Sequence, residues 1–252
     1  MLRQAQLDAF RAALTREFED LAWSYFQNLF PDACRQAGED VIRRVIRHGV
    51  MRAERHALDE YQSLCMYITV MFWLGSGFDQ DPLYPWAAPL LAPELGDQLQ
   101  RAERLKKAAQ TYLDEAEGLH DEHLQETLRR LLGEDLATLF PPPAPAEDAR
   151  TYLTARLHHI HPRKCEAVGL SSLHRLIDQG IAAATRYGLV ERPDQAVYLE
   201  MMFLLGAAFD EDPMFPWAQE LLHGGRTQGA RQGQALHRAG IASLQHMTGV
   251  SP

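Results

Sequence analysis

The second half of this chain repeats the first. GSGFDQDPLYPWAAPLL, from Gly75 to Leu91, aligns without gaps on GAAFDEDPMFPWAQELL, from Gly206 to Leu222, and ten of the seventeen positions are identical. The same offset of 131 residues pairs Pro31 with Pro162, Cys34 with Cys165, Gly38 with Gly169, Arg44 with Arg175, Ile46 with Ile177 and Gly49 with Gly180. It also pairs Arg55 with Arg186, Tyr67 with Tyr198, Met71 with Met202 and Phe72 with Phe203. One register held over such a distance marks a duplicated structural unit, so whatever fold one copy takes the other must also accommodate. The unit runs from about Trp23 to Leu91 and again from about Thr154 to Leu222.

The local signals inside the unit are helical. Leu7, Phe10, Leu14, Phe18, Leu21 and the stretch from Trp23 to Phe26 recur at spacings of three and four, which predicts a long first helix with an apolar stripe, ended by Pro31. Val41, Ile42, Val45, Ile46, Val50 and Ala53 form a second stripe, and Leu64, Ile68, Met71, Phe72 and Leu74 a third. The stretch from Pro93 to Glu117 is rich in good helix formers, and Leu119 to Phe140 continues in that style. No segment alternates apolar and polar residues with β-branched enrichment, so strands are not expected. The expected fold is all-α: two tandem copies of a helical-bundle module in a pseudo-symmetric arrangement. PPPAPAEDA, starting at Pro141, cannot continue a helix and reads as a stiff connector. The expected organisation is a first module with its long N-terminal helix over 1–118, a connecting helix and linker over 119–150, and a second module over 151–252.

Composition narrows the partners. The net charge is −9, from 34 acidic and 25 basic residues, which disfavours a nucleic-acid backbone or an anionic membrane as main partner. The most apolar run, around Met66 to Leu74, is far short of a membrane span. Three cysteines, Cys34, Cys65 and Cys165, without a CxxC pair argue against a disulfide framework, and the charged N-terminal stretch lacks a signal peptide's apolar core. The expectation is a cytoplasmic protein.

The copied segment FDxDPxxPWA is the most informative motif. Its residues are Gly75, Phe78, Asp79, Asp81, Pro82, Pro85 and Trp86 in the first copy, and Gly206, Phe209, Asp210, Asp212, Pro213, Pro216 and Trp217 in the second. The structural reading makes Asp81 and Asp212 helix N-caps followed by Pro at the first helical position. It makes the two tryptophans anchors for a following short helix. A sharper reading takes the Asp-x-Asp pairs as acidic sites for a hard cation, but two carboxylates are too few for a dedicated cage. The structural reading is preferred, and no metal or cofactor is expected. Tyr84 and Phe215 are candidate exposed anchors for a partner, with core packing expected of at least one of each pair.

Other candidate chemistry is thin. Glu117, His120 and His123 supply half of a bundle-type di-iron pattern, without the second half. His158, His159 and His161 cluster before Pro162, but the first copy has Gln27, Asn28 and Phe30 there. No GxSxG occurs, and the equivalence of Cys34 with Cys165 suits packed small residues. The run Gly224, Gly225, Gly229 and Gly233 lacks the Lys-Ser/Thr ending of a phosphate loop.

Tyr187-Gly188-Leu189, Glu191, Tyr198, Met202-Phe203, Gly206 and FDEDPMFPWA together resemble a family of uncharacterised helical proteins associated with bacterial type VI secretion effector clusters, near spike, lipase or nuclease toxin genes. The resemblance covers the repeated module; the first copy departs, with His56-Ala57 in place of Tyr187-Gly188. It implies a non-enzymatic accessory factor, a co-chaperone or adaptor whose partner is a secretion effector, its chaperone or a toxin. An immunity protein that neutralises a cognate toxin is the alternative, and a helical metal-binding enzyme the second alternative.

Overall fold

A computed structural model of the chain describes residues 4–118, 122–133, 148–223 and 230–248. Among these residues the structure is all-helical, with no strand. The proline-rich stretch at 141–145, His120, and Gly224, Gly225 and Gly229 lie outside the described residues.

α1 (Gln4–Leu29) ends where Pro31 forces Phe30 out of the helical region, and Pro31 then opens α2 (Pro31–Ala37). α2 stops at Gly38, whose φ of 81° is one that side-chain-bearing residues rarely adopt. α3 (Glu39–Glu54) starts immediately, with Glu39 and Asp40 at its positive end and Arg52 at its negative end. α4 (Tyr61–Leu74) is buried on nearly every side, through Leu64, Tyr67, Ile68, Val70, Met71 and Leu74. It lies between α3 and α6 (Gln98–Ala116), which Asp97 caps by accepting the Gln100 N–H. Between α4 and α6 run a 3₁₀ turn (Phe78–Gln80), the short α5 (Ala87–Leu90) and a second 3₁₀ turn (Pro93–Leu95). The single helix read from Pro93 to Glu117 is therefore broken, at Gly96 (φ 131°).

α7 (Glu122–Gly133) leads towards the second copy. α8 (Ala149–Ile160) is capped by Asp148, and α9 (Pro162–Arg186) carries one non-helical residue, Gly169, at φ 75° and ψ 157°. Gly169 is the register partner of Gly38 (φ 81°, ψ 159°), so α9 matches α2 and α3 with their break in place. α10 (Arg192–Leu205), like α4, is buried almost throughout. α11 (Pro216–His223) and α12 (Ala230–Thr248) complete the chain, with α12 packed on α10 as α6 packs on α4. The copies also exchange contacts: α9 rests on α6, and α12 rests on α2.

Each large side chain buried in this core contributes about 1.5–3 kcal/mol. Cys34, Cys65 and Cys165 are buried and unbridged, and burial pushes the Cys34 thiol up to about 11 and that of Cys165 to about 12. They are packing residues. One apolar stripe departs from expectation: Leu21 of α1 points to solvent, while Ala22 and Phe26 face the core. No helix among the described residues is long and apolar enough to cross a membrane.

Candidate functional site: a crossed aspartate joint and the buried charges beside it

The repeated loops meet each other. Asp81 has an extended backbone, as the residue before a proline must. Its Oδ1 accepts the Leu83 N–H at 2.8 Å, closing its own turn, and its Oδ2 accepts the Ala207 N–H of the other copy at 2.8 Å. Asp212 does the same in reverse, accepting the Met214 N–H at 2.8 Å through Oδ1 and the Ser76 N–H at 2.8 Å through Oδ2. Ser76 and Ala207 are register partners, so the two bonds are counterparts. Between them the backbones touch at Gly75 and Gly206. A Cβ on Gly75 would lie 2.7 Å from the Leu205 carbonyl oxygen, and one on Gly206 would lie 2.8 Å from that of Leu74.

This corrects the capping expectation. The helices begin at Ala87 and Pro216, beyond the Asp-Pro pairs, so Pro82 and Pro213 sit in turns and neither aspartate is an α-helix N-cap. A cap spends its carboxylate on one helix end, whereas here the second oxygen reaches across to the other loop. Burial raises the Asp81 pKa to about 6, although the N–H groups of Leu83 and Ala207 draw it down. Burial raises Asp212 too, against the N–H groups of Met214 and Ser76.

Asp81 holds its proton more tightly folded than unfolded, from about 6 against 3.8. Its contribution to stability is therefore full below pH 4 and declines as pH rises towards 6. Asp81→Asn leaves one buried N–H facing an amide instead of a carboxylate oxygen, at a cost of about 1–3 kcal/mol. Urea unfolding across pH 4 to 7 should show this penalty narrowing as pH rises, because the decline belongs to the wild type alone. A penalty that grows with pH would contradict the burial assignment.

Asp79 and Asp210 are buried as well, with different partners in each copy. Asp79 Oδ2 is 2.7 Å from His56 Nε2, and Asp79 Oδ1 accepts from Arg52. Burial pushes the Asp79 pKa up, but the bonds from His56 and Arg52 outweigh it and hold the carboxyl below its usual range. In the second copy the hydroxyls of Tyr187 and Tyr198 each donate to Asp210 Oδ2 at 2.8 Å. The departure of His56 from Tyr187 thus leaves the role of the carboxylate intact while changing its donors. All four motif aspartates are engaged inside the fold. Among the described residues no group of three or more His, Cys, Asp and Glu side chains is arranged to hold a metal ion.

The rest of the motif packs. Phe78 lies 4.9 Å from Tyr67 and Phe209 lies 5.1 Å from Tyr198, ring centre to ring centre. Trp86 rests against Tyr84 and Tyr112, and Trp217 against Phe215 and Phe209. Tyr84 and Phe215 are buried, which corrects their reading as exposed anchors: their ring centres lie 6.0 Å from Trp86 and 6.1 Å from Trp217. Pro85 is exposed, and Pro216 opens α11.

The sequence reading missed two buried charge clusters. Glu117, at the end of α6, does not join His123 in a metal half-site. Its Oε2 is 2.7 Å from His161 Nε2, and its Oε1 is 3.4 Å from Lys164 Nζ. His161 Nδ1 accepts the Lys164 N–H, so the ring proton sits on Nε2 and points at Glu117. Burial raises the Glu117 pKa, but the Lys164 ammonium and the His161 bond outweigh it and bring it down to about 2. The neighbouring His158 and His159 are exposed, so the histidine cluster does not converge. In the second cluster Arg156 Nε donates to Glu200 Oε1 at 2.7 Å, with His237 Nδ1 3.6 Å from the other oxygen. The signal for both was in the register: His161 and Lys164 replace Phe30 and Ala33, and Arg156 and Glu200 replace Tyr25 and Thr69.

Compared with protein-family models, curated proteins and solved structures, the chain has no match.

Proposed function

We propose that this chain is a protein-binding accessory factor, a co-chaperone or adaptor, in which the repeated loops are the joint of the scaffold and the partner binds elsewhere. The two copies are then related by an approximate twofold axis passing between Gly75 and Gly206. The counterpart bonds of Asp81 and Asp212 and the exchanged contacts of α2 and α9 support that relation. The observation that carries the binding role is an asymmetry. Leu21 and Leu29 of α1 are 54% and 42% exposed, whereas their register partners on α8, Tyr152 and Ile160, are buried. A scaffold repeated in its core but left apolar on one copy's surface suits recognition of another protein.

The sequence resemblance supports a secretion effector, its chaperone or a toxin as that partner, in a cytoplasmic setting. Deleting the gene in its native cell tests this. A loading factor should abolish export of the cognate effector while leaving cells sensitive to it. An immunity protein should instead protect cells that express the toxin internally. Normal export together with absence of protection would defeat both readings.

A further inference from the structure

The repeat register allows one face of the two copies to be compared helix by helix. In the first copy it comprises Leu21, Tyr25 and Leu29 on α1, Met66, Thr69 and Trp73 on α4, and Lys106 and Gln110 on α6. Spacings of three and four place each set on one side of its helix. The counterparts are Tyr152, Arg156 and Ile160 on α8, Val197, Glu200 and Leu204 on α10, and His237 and Ile241 on α12.

In the second copy this face is closed. Arg156 and Glu200 pair across α8 and α10, with His237 of α12 on the far side of the carboxylate, and all three are buried. α7 then packs against α12 and α8. It donates from Thr127 Oγ1 to the Ile160 carbonyl at 3.1 Å and from Arg130 to the His159 carbonyl at 3.3 Å, and it buries Leu128 and Leu131. An amphipathic helix is thus the cover this face takes.

In the first copy the same face is only partly covered: Thr69 is buried, Tyr25, Met66, Trp73 and Lys106 are half-buried, and Leu21, Leu29 and Gln110 are exposed. Tyr25, Thr69 and Lys106 replace the three charged residues and cannot form their bridge. Met66 and Trp73 are half-buried and, with Glu103, Lys106, Lys107 and Gln110, line a groove of about 300 Å³. Leu21 and Leu29 stand exposed on α1, whose Phe18 packs on Tyr61 at the start of α4. Among the described residues no helix covers this face. Its floor is apolar and on its rim Lys106 and Lys107 outnumber Glu103, which on a chain of net charge −9 defines what would fit.

We propose that the groove of the first copy, along α6 and over the α4 face towards α1, seats an amphipathic helix of a partner protein, as α12 and α8, the counterparts of α6 and α1, seat α7 on the second copy. The partner helix presents leucine-like side chains at i, i+4 and i+7, as α7 presents Leu124, Leu128 and Leu131, with acidic residues beside them to meet Lys106 and Lys107. This rests on the protein-binding reading above and names its site and the chemistry of its ligand.

The test uses the full chain and a fluorescent stapled acidic helix bearing leucine at i, i+4 and i+7, followed by polarisation. Saturable binding is expected, weakened roughly tenfold by Met66→Glu and roughly threefold by Lys106→Glu. It should be unchanged by Val190→Glu, at an exposed position in the second copy. Lys106 is on the groove rim, so its variant guards against loss of folding in Met66→Glu, and a basic version of the helix should bind more weakly than the acidic one. Absence of binding, or binding indifferent to both groove variants, overturns the groove. So does a concentration-dependent dimer that Met66→Glu abolishes, which would assign the face to a second copy of this chain. If Met66→Glu and the wild type then support effector export equally, the groove falls and the accessory reading stands. If export never depends on the chain, the accessory reading falls while the helix-binding result is judged on its own.

Discussion

Gly75→Ala should destabilise the fold by about 3–5 kcal/mol, a large part of the 5–15 kcal/mol typical of a protein domain. Two costs coincide. Gly75 has φ 90° and ψ 156°, a conformation open in practice to glycine alone, at about 1–3 kcal/mol for another residue. The added Cβ would also lie 2.7 Å from the Leu205 carbonyl oxygen and 3.3 Å from Gly206 Cα, both backbone atoms that a rotamer change cannot clear. Separating the two loops of the joint would stretch the bonds from Ala207 to Asp81 and from Ser76 to Asp212. Gly206→Ala should cost about the same, since its Cβ meets Leu74 and Gly75 in the mirrored way. The double variant should cost less than the sum, because both substitutions open one contact. Gly38→Ala is the control: φ is 81° but no atom lies within 4 Å of the added Cβ, so only the strain is felt, about 1–3 kcal/mol. Urea midpoints would measure all four. Equal losses at Gly75 and Gly38 would remove the close crossing from the account.

The contrast between these glycines shows what the sequence could and could not disclose. Repetition at one offset made the helical plan legible, and the structure then places breaks at the paired Gly38 and Gly169, where conformation follows from local residue identity. The crossing at Gly75 and Gly206 was not legible. Asp81 bonds the backbone N–H of Ala207, 126 residues away, and any non-proline residue offers such a donor. The Asp-Pro pair looked like a helix start because its local chemistry is the same in a turn. Tyr84 and Phe215 read as candidate anchors because an aromatic beside two prolines gives no sign of which way it faces. The buried charges were missed for a different reason. Glu117 was weighed against its sequence neighbours His120 and His123, while its partners His161 and Lys164 lie more than a connecting helix away. Setting His161 against Phe30 marked one difference between the copies, but Lys164 against Ala33, the charge that completes the cluster with Glu117, was not compared.

That substitution between copies yields the second large effect. Glu117→Ala should cost about 3–5 kcal/mol at neutral pH, because it strands the buried Lys164 ammonium and leaves the His161 Nε2–H unmet. The sign with pH follows from the depressed Glu117 pKa, about 2 against 4.5. Its stabilisation is present above pH 4.5 and disappears as pH falls towards 2, so the gap between variant and wild type should close over that window. This is opposite in sense to the Asp81 effect, and the two windows are separate enough to resolve. The first copy shows how the same corner is built without charge: Phe30 stacks on Phe72 at 4.7 Å and near Phe26, and α2 begins with no side-chain cap. Transplanting that solution, as Glu117→Thr with His161→Phe and Lys164→Ala after the register counterparts Thr248, Phe30 and Ala33, places a phenyl ring against Phe203 and removes every unpaired charge together. The lost cap on the Lys164 N–H costs about 1 kcal/mol, and the removed desolvation offsets it. The triple variant should therefore return to within about 1–2 kcal/mol of the wild type. A triple variant as unstable as Glu117→Ala would mean that the second copy requires the ion pair itself, and that the corner is not interchangeable between copies.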